Sequence, residues 1–253
     1  LVFLTQKRVN GVEWHPIHQF EVDSRQGIEM ARWFDAKRPA GRWIALAEFV
    51  LGAAIVIGHN VFQMVPNEVP ILVAVCLVST RLWTGRWQVV GLGRPPSWPR
   101  TIAIAVAAAA LRIVLGEFVI EPITGRFWPP PIAPAMANEI TGNAQMAVLA
   151  LLLVWTFAAF GEEISYRGYL LSRAATAGGG STAAQWVGVV LAAILFGFGH
   201  YYKGASGIID SGVAGLILGA AYMLSGRNLW AAVLAHGLID TVGVVALYFG
   251  WAS

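Results

Sequence analysis

Apolar residues in this chain fall into long, nearly unbroken blocks, not the alternation of a half-buried strand or the single stripe of a surface helix. Seven blocks stand out: Trp43 to His59, Pro70 to Trp83, Thr101 to Ile120, Gln145 to Ala174, Thr182 to Tyr201, Ser206 to Leu224 and Leu229 to Trp251. A helix that crosses a bilayer needs about 20 mostly apolar residues, or about 17 at the short end. Each block therefore predicts a span, the second short and the fourth long. No internal repeat or low-complexity linker divides them. The pattern predicts an all-α fold, a polytopic transmembrane helix bundle of about seven spans, in one membrane domain over residues 43–253.

Ahead of the blocks, residues 1–42 are polar and mixed in charge, with seven basic residues from Lys7 to Arg42 set against five acids. The chain opens on Leu1, and Leu1 to Arg42 lacks the basic, apolar, small-residue order of a secretory signal. This segment reads as a cytosolic tail with a short amphipathic helix around Ile28 to Phe34. His15 and His18 within it read as solvated side chains.

Composition strengthens the membrane reading. Apolar residues reach 57% and charged residues only 12%, against about 45–50% and about 25% in soluble domains. The net charge of +3 does not imply a nucleic-acid partner, because Lys and Arg sit between the apolar blocks and form no single stripe. They set topology instead, since cytoplasmic loops are enriched in Lys and Arg. The tail, Arg81, Arg86, Arg94, Arg100, Arg167, Arg173 and Arg227 all fall on one side, whereas Asn60 to Val69 and Glu121 to Ala144 contain only Arg126. The expectation is an integral protein of a bacterial-type plasma membrane, amino terminus cytoplasmic and carboxyl terminus outside. Pro95, Pro96 and Pro99 place a helix start near Thr101, and Trp128-Pro129-Pro130-Pro131 makes an extended outer loop. The single cysteine, Cys76, lies in an apolar run and reads as a small hydrophobe.

Three polar clusters interrupt the later blocks. Ionisable side chains at membrane depth are costly, so each is a candidate functional site. Glu162 and Glu163 follow the apolar run Met146 to Phe160, with Arg167 four residues after Glu163. On a helix that spacing brings Glu163 and Arg167 together as an ion pair and leaves Glu162, about 100° around the axis, free to face a cavity. His200 closes the fifth block after Phe196-Gly197-Phe198-Gly199, where the glycines let another helix or an extended peptide approach closely. His236 and Asp240 share one face of the last block, so the carboxylate can hold the imidazole in one tautomer. At about 1.5 Å per residue, Glu162 stands roughly 22 Å above a turn near Ala177 and His200 roughly 27 Å above Thr182. His236 stands only roughly 10 Å above Leu229, so the last span must begin deeper, or its neighbours must tilt. Glu48, His59, Arg112, Glu117 and Asp210 are further polar residues within the spans, and Gly215 and Gly219 give the spacing of close helix packing.

One carboxylate, two imidazoles and a supporting acid can activate water in two ways. With a bound zinc, Glu162, His200 and His236 would be the ligands and water would keep the fourth position. Without a metal, Glu162 and His200 would share the role of base while His236 and Asp240 stabilise the oxyanion. Both routes lead to hydrolysis.

The order Glu-Glu-x-x-x-Arg, Phe-x-x-x-His and His-x-x-x-Asn/Asp, each on a separate apolar block, resembles the CPBP family of intramembrane proteases, which includes the CAAX prenyl endopeptidases and bacteriocin-processing and immunity proteins. The resemblance covers about Gln145 to Trp251, with Gly91-Leu92-Gly93-Arg94 similar to the family's upstream region. It implies a catalytic core in the last four spans, Glu162 as the water-activating carboxylate, and Glu163 and Arg167 completing the first motif. It also implies that His200 assists the base or binds metal, and that His236 with Asp240 binds metal or stabilises the transition state. Asp240 stands where the family often has asparagine, and an ionised carboxylate suits an orienter of His236 better than an oxyanion donor.

The expected function is therefore an intramembrane endopeptidase acting on a membrane-associated peptide or protein, with the lipid bilayer as its other partner. Its alternatives are a non-catalytic scaffold, immunity or regulatory protein of the same fold, and a proton or ion carrier. The intact trio Glu162, His200 and His236 argues against a scaffold. A carrier would more often show inverted repeats or interrupted helices in both halves of the chain.

Overall fold

A computed structural model describes residues 38–84, 90–128 and 139–251, and the described residues contain helices and no strand. The expected tail helix, His15, His18, Arg86 and the proline run from Pro129 lie outside them. Seven long helices stand among the described residues: α1 (Pro39–Asn60), α2 (Glu68–Thr84), α3 (Trp98–Phe127), α4 (Ala144–Ala177), α5 (Thr182–Phe198), α6 (Gly204–Leu224) and α7 (Leu229–Tyr248). Five of them, α1, α3, α4, the Tyr201–Leu224 helix containing α6, and α7, are long and apolar enough to cross a membrane. Helices α2 and α5, of 17 residues each, sit at the short limit of about 17.

Local chemistry explains the boundaries. Ser97, Asn143, Ser181 and Asn228 cap α3, α4, α5 and α7, each accepting a hydrogen bond from a first-turn amide. Pro99 falls in the first turn of α3, where its missing N–H is not required, so that helix begins at Trp98. At its other end α3 runs on to Phe127 and corrects the expected outer loop at Glu121. A π-helical turn over Gly116–Ile120 precedes Pro122, and such a widened turn accommodates the amide that proline lacks.

The bundle is apolar outside as well as inside. Val50, Val78, Val106, Leu152, Val187 and Leu224 stand exposed on their helices, as expected of surfaces that meet lipid. The core gathers Val56, Leu72, Cys76, Tyr166, Leu170 and Val233 around the middle of α4. Helices α5 and α6 pack tightly because Gly197, Gly215 and Gly219 have no Cβ: one would come within 3 Å of Ile208 O, Ala193 Cα and Val189 Cγ1 respectively.

Two arginines counted towards the cytoplasmic side, both within α4, are interior. Arg167 is 1% exposed. Arg173 is buried against Glu48 at 2.8 Å, with its guanidinium over the Trp83 ring. Arg42 donates to Ala177 O and Arg100 to Leu224 O, so basic side chains cover the carboxyl ends of α4 and α6 at the end of the bundle where α1 and α3 begin.

The start of α7 settles the depth of His236. Leu229 donates its amide to Gly91 O at 2.9 Å, and its side chain lies against Gly168. Gly188 of α5, by contrast, packs on Leu171 O, so Thr182 lies nearer the end of the bundle than Leu229 does. Helix α7 thus begins part-way along α4, which lifts His236 to the level of Glu163. Gly91, at φ 102°, makes this turn possible, since a Cβ there would be strained and would lie 3.0 Å from Arg227 O.

Candidate active site

Helix α4 carries the first cluster through two π-helical stretches, Val154–Glu162 and Ile164–Leu171. Widened turns of this kind occur often at functional sites. Glu163 and Arg167 are almost wholly buried, and Arg167 Nη1 donates to Glu163 Oε1 at 2.8 Å. Arg167 Nη2 donates to Gly215 O at 3.1 Å, which ties α4 to α6.

The same oxygen of Glu163 receives a second bond from α7. His236 Nδ1 lies 2.8 Å from Glu163 Oε1, and a carboxylate oxygen accepts, so the imidazole donates from Nδ1. The other ring nitrogen, Nε2, is 3.5 Å from Asp240 Oδ2. Asp240 does neighbour His236, as its spacing predicts, but Glu163 is the closer orienter.

Helix α5 brings the second cluster. His200 lies just past its end, with φ −111° and ψ 26°, in the sparsely populated bridge region where active-site residues recur. Its Nδ1 is 2.9 Å from Phe196 O. A carbonyl only accepts, so Nδ1 carries the hydrogen and Nε2 of the neutral ring is the free acceptor.

Phe196 is the hub around which the three clusters meet. Its ring centroid lies 4.9 Å from that of His200, 5.8 Å from that of His236 and 5.0 Å from that of Tyr166. The Arg167 guanidinium covers it at 4.6 Å. Glu162 lies within coulombic reach of His236, Asp240, Glu163 and Arg167. Its Oε2 is enclosed without a hydrogen-bond partner among the described residues.

The seven residues of the three motifs thus gather in one connected cluster of α4, α5 and α7. The other polar residues of the spans do other work. Glu48 pairs with Arg173 and accepts from Ser79 Oγ at 2.7 Å, Arg112 pairs with Asp210 between α3 and α6, and His59 reaches Glu68 at 3.3 Å. Glu68 escapes notice in the sequence because it stands just outside an apolar block. Its position opposite His59 across a short helical hairpin is the signal that could have found it.

A cavity of about 440 Å³ opens among Thr80, Gly168, Ser172, Arg173, Tyr222 and Arg227, further along α4 than the three motifs, and contains none of their catalytic candidates. The motif residues also do not fit a zinc site in this arrangement. Among the described residues no three His, Cys, Asp or Glu side chains converge on a point that could hold an ion. Both ring nitrogens of His236 already face carboxylates.

Residues 144–242 match the family model of the type II CAAX prenyl endopeptidases, Rce1-like. The match covers the three motifs and shows the resemblance to CPBP intramembrane proteases over that segment. No match was found among curated proteins or among solved structures.

Proposed function

We propose that this chain, which carries a CAAX protease family domain over residues 144–242, is an endopeptidase in which Glu162 activates water at membrane depth. The observation that carries this reading is the enclosed Oε2 of Glu162, which has no hydrogen-bond partner among the described residues and stands beside His236, Asp240, Glu163 and Arg167. A buried polar atom left without a partner is rare and calls for a chemical reason.

In the proposed cycle the Glu162 carboxylate takes a proton from water, with His200 Nε2 as a second acceptor, and the hydroxide attacks the scissile carbonyl carbon. The carbonyl π electrons move to oxygen. His236, as the imidazolium with its Nδ1–H held by Glu163, donates its Nε2–H to that oxyanion, and Asp240 steadies the ring. The C–N bond then breaks, Glu162 returns the proton to the leaving amine, and the peptide is released as an acid and an amine.

All seven helices are proposed to lie in the bilayer, with residues 1–42 cytoplasmic and the catalytic core at 145–251, in a bacterial-type plasma membrane. Arg42 and Arg100 at one end of the bundle support that orientation. The substrate is a membrane-associated peptide or protein, and the family description makes a prenylated carboxyl-terminal tail the first class to test. Cleavage of a membrane-peptide library by nanodisc-reconstituted protein, beside Glu162→Ala, tests the reading. Cleavage lost in the variant supports it, and equal inertness of two folded proteins overturns it.

A further inference from the structure

We infer that Glu68 and Tyr166 are positioning residues for His200, so that the α1–α2 hairpin, which lies outside the matched segment 144–242, braces the candidate active site. Glu68 is the first residue of α2 and is 6% exposed. A carboxylate so enclosed needs partners, and it has two from different helices. His59, at the end of α1, places Nε2 3.3 Å from Glu68 Oε2 while its Nδ1 donates to Val65 O at 3.0 Å. From α4, Tyr166 stands beside the Glu68 carboxylate, and the next residue of α2, Val69, packs so closely on α4 that a Cβ on Gly161 would lie 2.6 Å from its Cγ1.

Tyr166 in turn holds the end of α5 at two points. Its ring packs edge-on against Phe196, with centroids 5.0 Å apart. Its hydroxyl lies so close to Gly199 that a Cβ on that glycine would be 2.6 Å from it. Gly199 is the residue before His200, and Phe196 supplies the carbonyl that fixes the His200 ring. The chain His59, Glu68, Tyr166 therefore ends on the two residues that set where His200 Nε2 points. Helix α5 has already ended at Phe198, so His200 sits in a turn, its backbone tied along the chain by its amide to Gly197 O and its carbonyl to Lys203 N, and this brace holds it from the side.

The test compares wild type, Glu68→Gln, Tyr166→Phe and the double variant, each reconstituted in nanodiscs. Amide hydrogen exchange of the Phe196–Lys203 turn is read by mass spectrometry, and thermal stability is recorded beside it. Each single variant is expected to speed exchange of that turn by about tenfold, with little change elsewhere. The double variant is expected to add little, because both substitutions cut the same chain. Unchanged exchange at the turn in either folded variant, or fully additive effects, overturns the inference. Should either variant fail to fold, His59→Asn, one contact further out, carries the same test with the same two outcomes.

A kinetic arm rests on the proposed protease function. There, kcat is expected to fall about 10–100-fold with KM held within about twofold. A change confined to KM overturns the positioning role. A wild type that cleaves nothing would refute the protease reading and leave the exchange result to decide the brace, so the two failures are distinguishable.

Discussion

His236 Nδ1 and Glu163 Oε1, 73 residues apart in the chain, meet at 2.8 Å, while Asp240, on the same face of the same helix as His236, stands back at 3.5 Å. The histidine is oriented across the bundle more firmly than along its own helix. Glu163→Gln is therefore expected to lower kcat/KM by about 10–100-fold, and Asp240→Asn by less than about tenfold. Steady-state kinetics of the two variants on one cleaved peptide check this ordering, and the reverse order would return the orienting role to Asp240.

Arg167 and Glu163 are 1% and 0% exposed, so removing either leaves a buried charge with too few partners. Arg167→Met is expected to destabilise the protein by about 3–5 kcal/mol. Adding Glu163→Gln to it should restore part of that loss, since the stranded carboxylate disappears. Thermal unfolding in detergent of the single and double variants measures both effects.

Glycine packing gives a contrast within one protein. A Cβ at Gly197 would lie 2.6 Å from the Ile208 backbone oxygen, whereas one at Gly243 meets nothing within 4 Å. Gly197→Ala must push α5 from α6 and is expected to cost about 1–3 kcal/mol. Gly243→Ala, in the interior of α7, should be neutral or stabilising by up to about 1 kcal/mol. Melting temperatures of the two variants decide, and equal values would contradict the close α5–α6 contact.

The base and the metal question separate in one assay. Glu162→Gln is expected to lower kcat by about 10²–10⁴-fold. A chelator should leave the wild type within about twofold of its rate, because no three ligand-type side chains among the described residues converge on one point. Loss of activity on chelation, restored by added zinc, would overturn the metal-free assignment.

Much of the helical layout is legible in the sequence because helix formation in an apolar chain is a local matter. The blocks at Trp43, Pro70, Gln145, Thr182, Ser206 and Leu229 correspond to helices whose starts lie within four residues. Each starts where its neighbours cap it or its apolar run begins. The extension of α3 through Glu121 and Pro122 is not legible, since proline after a charged residue reads as a break and only the π-helical turn at Gly116–Ile120 absorbs it.

Residues i and i+4 on one helix must be neighbours, so the sequence by itself determined the Glu163–Arg167 pair, the shared face of His236 and Asp240, and the membrane character of the bundle. It could not set the depth of one helix against another. That depth depends on the Gly91 turn, which seats Leu229 part-way along α4 and raises His236 to Glu163. Nor could it place Glu68 beside Tyr166, or Phe196 beneath Arg167 and between the two histidines. Such contacts join residues far apart in the chain, and only the packing of helices against one another, set by where small residues allow close approach, decides them.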